Sequence, residues 1–310
     1  MKFSIKNAMF GQAMRRVSPA LIKAKNPVDP GQYIVISADQ DEVSFAVSGV
    51  ELAARATVSA KAMDGAIVKV SNGGSCTVGG EKISRIPELV KVADNLDFDT
   101  KDSDVVPQEG DEASVKEIGT VSATYPGHKG RMEFFEFPRV DLAPLSKLDY
   151  DASTKVVIKG EDFLTYIRQV KIAVGESTMS EKFTNILFRI SGGDVELATS
   201  NGQQLAWAKF PAVSTSRDIM CVTSFDQFET VSKMCEPDRD VVVYLGATEF
   251  KTLVVTQEIT FGNEVVGSLV AKINSTSDAF MQFEKKLDAL NFPYECTINR
   301  QQAKECFDKI

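Results

Sequence analysis

One histidine in 310 residues, His128, leaves general acid–base and nucleophilic chemistry without its commonest participant. It stands in a Gly127-His128-Lys129-Gly130 stretch, where the flanking glycines predict a hairpin turn rather than a site built on rigid elements. The cysteines, at 76, 221, 235, 296 and 306, show no CxxC pairing, and no His/Cys/carboxylate cluster has ligand spacing. Neither a structural zinc, a disulfide framework nor any other cofactor is expected, and a reducing, cytoplasmic setting fits such cysteine usage. Long hydrophobic runs are absent as well. Lys2, Lys6, Arg15 and Arg16 interrupt the apolar residues of the N-terminus, so neither a signal peptide nor a membrane-spanning helix is expected. Gly73-Gly74-Ser75 and Gly79-Gly80-Glu81-Lys82 lack the Gly-Lys-Ser/Thr ending of a phosphate cradle and read as turn glycines.

A basic surplus is missing too. The formal net charge is -8, which excludes retention on nucleic acid by bulk electrostatics and leaves only local charge or topology for such a role. Acidic residues crowd residues 97–117, where Asp99, Asp102, Asp104, Glu109, Asp111 and Glu112 face only Lys101 and Lys116; this reads as a solvated loop.

What is present is a repeat. Phe3, Ile5, Phe10, Met14 and Val17 recur as Val156, Ile158, Phe163, Ile167 and Val170 at constant offset, and Lys6 and Arg15 recur as Lys159 and Arg168. Gly49, Leu52 and Ala53 keep the same offset to Gly202, Leu205 and Ala206. Each copy reads as a strand, an amphipathic helix and a three-strand meander. The predicted strands are 33–38, 43–48 and 52–58 in the first copy and 185–190, 195–199 and 205–210 in the second. Turns are expected at Gly192-Gly193-Asp194 and Ser200-Asn201-Gly202. Within each half the order recurs. A helix over 83–93 precedes strands near 115–124 and 131–137. Ser224 is expected to cap a helix over 225–234, followed by strands at 241–245, at 252–257 and beyond 260. A third copy opens at Cys296-Thr297-Ile298 and runs through Ala303, Phe307 and Ile310. The expected organisation is therefore an α+β chain with domains at 1–148 and 153–290 and the start of a third at 294–310.

The strand Met1-Lys2-Phe3-Ser4-Ile5, the repeated strand-helix-meander units and the turn Thr199-Ser200-Asn201-Gly202-Gln203-Gln204-Leu205-Ala206 resemble the bacterial DNA polymerase III beta subunit, the DNA sliding clamp family. The resemblance implies repeated clamp domains with antiparallel sheets outside and helices on the inner face of a ring. It implies a non-catalytic processivity factor of bacterial or phage origin that encircles double-stranded DNA without sequence preference. The ring would be a homo-oligomer, a dimer where each subunit has three domains. Candidate hole-lining residues are Arg15, Arg16, Lys23, Lys25, Arg168, Lys171 and Lys182. The replicative polymerase and the clamp loader would insert short peptides into a groove carried over by position to Phe183, Ser200, Gly202, Leu205, Met281 and Lys285. The family commonly has Asp-Gly-His-Arg-Leu at the turn where this chain has Asn201-Gly202-Gln203-Gln204-Leu205. The alternative is a clamp-derived module that binds peptides without encircling DNA.

Overall fold

The computed structural model describes residues 1–22, 30–65, 67–91, 93–100, 117–125, 128–135, 150–176, 183–246, 252–276, 280 and 283. Met1–Asp278 forms one compact unit and Ala279–Ile310 another. In the second unit, the rings of Phe280 and Phe283 meet edge to face at 6.2 Å. The expected opening of a third copy at 294–310 lies outside the described residues. The strands and helices of the described residues belong to the first unit.

The first half runs β1 Lys2–Lys6, α1 Asn7–Val17, β2 Tyr33–Ala38, β3 Glu42–Ser48, β4 Leu52–Ser59, β5 Val68–Asn72, β6 Gly74–Gly79, α2 Gly80–Ser84, α3 Ile86–Leu89, β7 Asn95–Thr100, β8 Glu117–Tyr125 and β9 His128–Phe135. The second half runs β10 Val156–Ile158, α4 Gly160–Val170, β11 Asn185–Ser191, β12 Asp194–Ser200, β13 Leu205–Pro211, β14 Ser214–Thr215, β15 Ile219–Ser224, α5 Phe225–Met234, β16 Val241–Leu245, β17 Thr252–Phe261 and β18 Glu264–Asn274. The helices α1 and α4 are both eleven residues long and start 153 positions apart.

Sheet order carries the repeat further than sequence does. The first half holds a five-stranded sheet, β5-β1-β7-β8-β9, and the second half a four-stranded one, β13-β12-β11-β15. A nine-stranded sheet, β14-β10-β16-β17-β18-β4-β3-β2-β6, joins the two halves. Divided between β18 and β4, it yields the five-strand order of the second half and the four-strand order of the first. Each half is thus the same pair of antiparallel sheets, and β18 pairs with β4 to make one continuous sheet, from Gly267 opposite Val58 to Ile273 opposite Leu52. Gly267 permits that approach, because a Cβ there would run into the Thr57 carbonyl oxygen. Lys6 Nζ, 5.0 Å over the ring of Phe261, is a further link between the halves.

The helices pack on these sheets through period-3.6 stripes. Phe10 of α1 meets Phe45 and Phe98, each at 5.4 Å, while Phe163 of α4 meets Phe228 of α5 at 5.6 Å. Burying each such ring contributes about 1.5–3 kcal/mol. A Cβ on Gly160 would collide with the carbonyl oxygens of Arg239 and Glu236, so the start of α4 sits directly on the loop after α5. In turn, α5 packs against both α4 and α1, which brings the three helices side by side.

Three local expectations change. The helix expected over 83–93 is two short ones, α2 and α3, broken at Arg85, because Pro87 has no N–H to continue the ladder and sits instead in the first turn of α3. Ser224 precedes α5 but makes no side-chain cap; the Phe225 N–H donates instead to Thr184 O at 2.9 Å. The acidic stretch begins within strand β7, whose alternation turns Asp97 and Asp99 outward, with Asp99 3.2 Å from Lys2 Nζ. Residues 101–116 lie outside the described residues. The hairpin expected around His128 exists, but His128, Lys129 and Gly130, expected in its turn, are the first residues of β9, paired with Tyr125, Thr124 and Ala123 of β8.

Candidate nucleic-acid interface and partner groove

The candidate basic residues fall into three situations. Arg15 and Arg168 occupy the same turn of α1 and α4, both exposed and without an ion-pair partner among the described residues. Each lies in the last turn of its helix, where a cation also complements the helix dipole. Lys171, in the turn following α4, is exposed but held: its Nζ lies 2.5 Å from Glu229 Oε1 on α5. Lys23, Lys25 and Lys182 lie outside the described residues.

Arg16 departs from the expectation. Its side chain is 2% exposed and points away from solvent into the joint between the halves. Nη1 donates to Met234 O at 2.7 Å and to Gln257 Oε1, and Nη2 lies 3.1 Å from Glu236 Oε2. Gln257 ties the same loop together, accepting from the Glu236 N–H at 2.8 Å and donating to Glu236 O at 2.9 Å and Arg239 O at 3.0 Å. Burial holds the Arg16 pKa below its ordinary value, with Glu236 opposing part of that fall. Held at 2% exposure on Met234 O, Gln257 Oε1 and the Glu236 carboxylate, with its Nε left without an acceptor, this guanidinium does not reach solvent, so Arg16 is a structural tie between the halves rather than the exposed cation that was expected. The same neighbourhood keeps Cys235 an inert thiol, its pKa pushed up to about 12 by burial.

Two charged residues that the sequence reading passed over complete the cluster at Lys171. Glu229 and Lys233 are one turn apart on α5, with Lys233 Nζ 3.0 Å from Glu229 Oε2. Their i,i+4 spacing was visible in the sequence; the approach of Lys171 from 58 residues away was not.

The groove candidates that the structure describes do come together. Gly202 has φ +88, and a Cβ there would stand 3.0 Å from the Phe183 ring, so the ring lies over the turn. Ser200 Oγ donates to Gln204 O at 2.9 Å and accepts from the Gly202 N–H at 3.1 Å, while Asn201 Oδ1 accepts from the N–H groups of Gln203 and Gln204. That turn leads into Leu205, which pairs with Ser200 across β12 and β13 and is half-buried. Met281 and Lys285 lie outside the described residues. Among the described residues, no group of His, Cys, Asp and Glu is placed to hold a metal ion, and no helix is long and apolar enough to cross a membrane.

Duplicated pairs of antiparallel sheets, joined edge to edge and carrying helices packed side by side, place the chain in the DNA sliding clamp fold. Three bacterial structures illustrate the likeness. The DNA polymerase III subunit beta of Pseudomonas aeruginosa matches with a TM-score of 0.70 at 14% identity, over 100% of this chain and 74% of that one. The DNA polymerase sliding clamp of Bacillus subtilis matches with a TM-score of 0.67 at 15% identity, over 92% and 67%. The beta subunit from the DNA polymerase of Streptococcus pyogenes gives 0.66 at 12%, again over 92% and 67%. This chain thus spans about two thirds to three quarters of the length of these structures. No family profile and no curated sequence matches it.

Proposed function

We propose that the chain is a DNA sliding clamp: a non-catalytic processivity factor that encircles duplex DNA and tethers a replicative polymerase, with polymerase and clamp loader docking through short peptides. The observation that carries the reading is the joint between β18 and β4, because units that add edge to edge in a fixed way can continue into a ring. Among the described residues, β9 and β13 each pair on one side only, and they correspond by position to β18 and β4. A further unit can join at either edge, and closure through a third domain beginning near 294 would give a homodimeric ring. The domain limits 1–148 and 153–290 belong to this reading. Arg15 and Arg168, exposed at equal positions, support a lining that holds the duplex loosely despite the acidic total charge.

The test is retention on DNA after loading. Protein held on a nicked circle and released when the circle is linearised is the expected result; equal retention on both forms overturns it. The contact of Phe183 with the Gly202 turn favours a second reading, a peptide-binding module that does not encircle DNA. Peptide binding without topological retention would select it.

A further inference from the structure

We propose that Glu229 is a built-in counter-anion that occupies Lys171 and Lys233 and so weakens the grip of the second half on duplex DNA. The proposal rests on the clamp reading above. Its geometry is one carboxylate with one lysine on each oxygen: Lys171 Nζ at 2.5 Å from Oε1 and Lys233 Nζ at 3.0 Å from Oε2. The two lysines come from different elements, the turn after α4 and the last turn of α5. The Glu229 side chain is 20% exposed while those of Lys171 and Lys233 are 57% and 58% exposed, so the carboxylate lies beneath two ammonium groups that face solvent. Burial would push the Glu229 pKa up, but the hydrogen bonds from Lys171 and Lys233 hold it below the usual glutamate range.

A carboxylate in that position offers the ammonium groups what a DNA phosphate would offer, a charged oxygen acceptor at hydrogen-bonding distance. Arg168, one turn before Lys171 and without such a partner, stays available; Asp226, one turn before Glu229, adds a further negative charge on α5. Exposed ion pairs of this kind are worth about 1 kcal/mol or less, so phosphate can displace Glu229 at little cost, and contacts with the duplex form and break readily. The position matching Lys171 in the first half is Ser18, which carries no charge to pair.

The experiment measures binding of the full chain to a short linear duplex of about 25 base pairs across a salt series. Glu229→Gln is expected to bind roughly three- to tenfold tighter at low salt and to steepen the salt dependence by up to about two released counterions. Adding Lys171→Ala and Lys233→Ala should erase the gain, which a merely structural role for Glu229 would not predict. Unchanged affinity and slope in Glu229→Gln, with binding still weakened by Arg15→Ala plus Arg168→Ala, overturns the proposal and leaves the clamp reading standing. Absence of duplex binding by both wild type and Glu229→Gln overturns the proposal alone, and retention on the nicked circle then decides the clamp reading. Should Glu229→Gln fail to fold, Lys171→Ala with Lys233→Ala in the otherwise unaltered chain decides: less than about a twofold loss is expected. A loss as large as that of the arginine pair overturns the proposal.

Discussion

Helices α1 and α4 have the same length and the same buried stripe: Asn7, Phe10, Met14 and Val17 in one, Gly160, Phe163, Ile167 and Val170 in the other. Yet α1 buries a second stripe, Met9, Ala13 and Arg16, whose counterparts Asp162 and Tyr166 are half-buried and Gln169 is exposed. Beyond the helices the contrast continues, with Pro19 partly covered and Ile172 78% exposed. The shared stripe is what one unit must bury to fold, and it repeats. The stripe unique to α1 runs to Arg16, which bonds to the loop after α5 in the other half. Departures from the repeat therefore mark where one unit meets another: the matching stripe on α4 packs within its own half, with the Tyr166 ring stacked on Phe210 at 4.2 Å, and leaves Gln169 exposed.

The largest expected effect tests that difference at one position. Arg16→Ala would leave Glu236 and Gln257 without the guanidinium and is expected to cost roughly 3–5 kcal/mol in denaturant unfolding. Gln169→Ala, at the matching position, should stay within about 0.5 kcal/mol. Similar costs at both positions would break the comparison. Arg16→Met, which keeps much of the volume and removes the charge, is expected to fall between them.

That contrast also explains what could be read from the sequence. The strand-helix openings of the two halves were legible because amphipathic periodicity is local, and Phe10, Met14 and Val17 need only their own helix to declare a buried face. The strands β5 and β6 over 68–79, which enter different sheets, were not: their glycines read as turns, whereas Gly73 separates the two strands and Gly74, at φ +149, opens the second. The joint of β18 to β4 pairs residues about two hundred positions apart, and nothing local announces it. Among the candidate basic residues, the equivalence of Arg15 and Arg168 was legible through the repeat, and both are exposed. Arg16 was misplaced because an arginine next to an exposed arginine on a surface helix reads as solvent-facing, and only the packing of the other half buries it. The pairing of Lys171 was hidden for the same reason, since its partner lies on a different helix.

A smaller effect is expected at the turns. Gly49 and Gly202 match by position, but only Gly202 has a positive φ, +88, and it also lies beneath the Phe183 ring. Gly202→Ala should cost about 1–2 kcal/mol, combining left-handed backbone strain with displacement of that ring. Gly49, with ordinary φ, would place its Cβ 3.1 Å from Leu52 O, a tight contact that a small shift relieves. Gly49→Ala is expected to cost less than about 1 kcal/mol. Equal costs would show that the two turns do not differ in the way their backbones suggest.

The smallest effect separates the halves by pH. Lys171 and Glu229 bridge α4 to α5, whereas the Glu81–Arg85 pair of the first half lies within one short segment, 2.7 Å long and largely exposed on both sides. Because Glu229 has a folded pKa below its ordinary value of 4.5, the stability it contributes is present above that value and is lost as pH falls through the lower folded one. Thermal unfolding of wild type and Glu229→Gln should therefore differ at neutral pH by on the order of one to three degrees, and the difference should close in acid. Added salt should shrink it as well, since both lysines face solvent. Glu81→Gln, which removes only a local exposed pair, should shift the midpoint less at neutral pH. A gap between wild type and Glu229→Gln that persists below the folded pKa would mean that the carboxylate's charge is not what links the two helices.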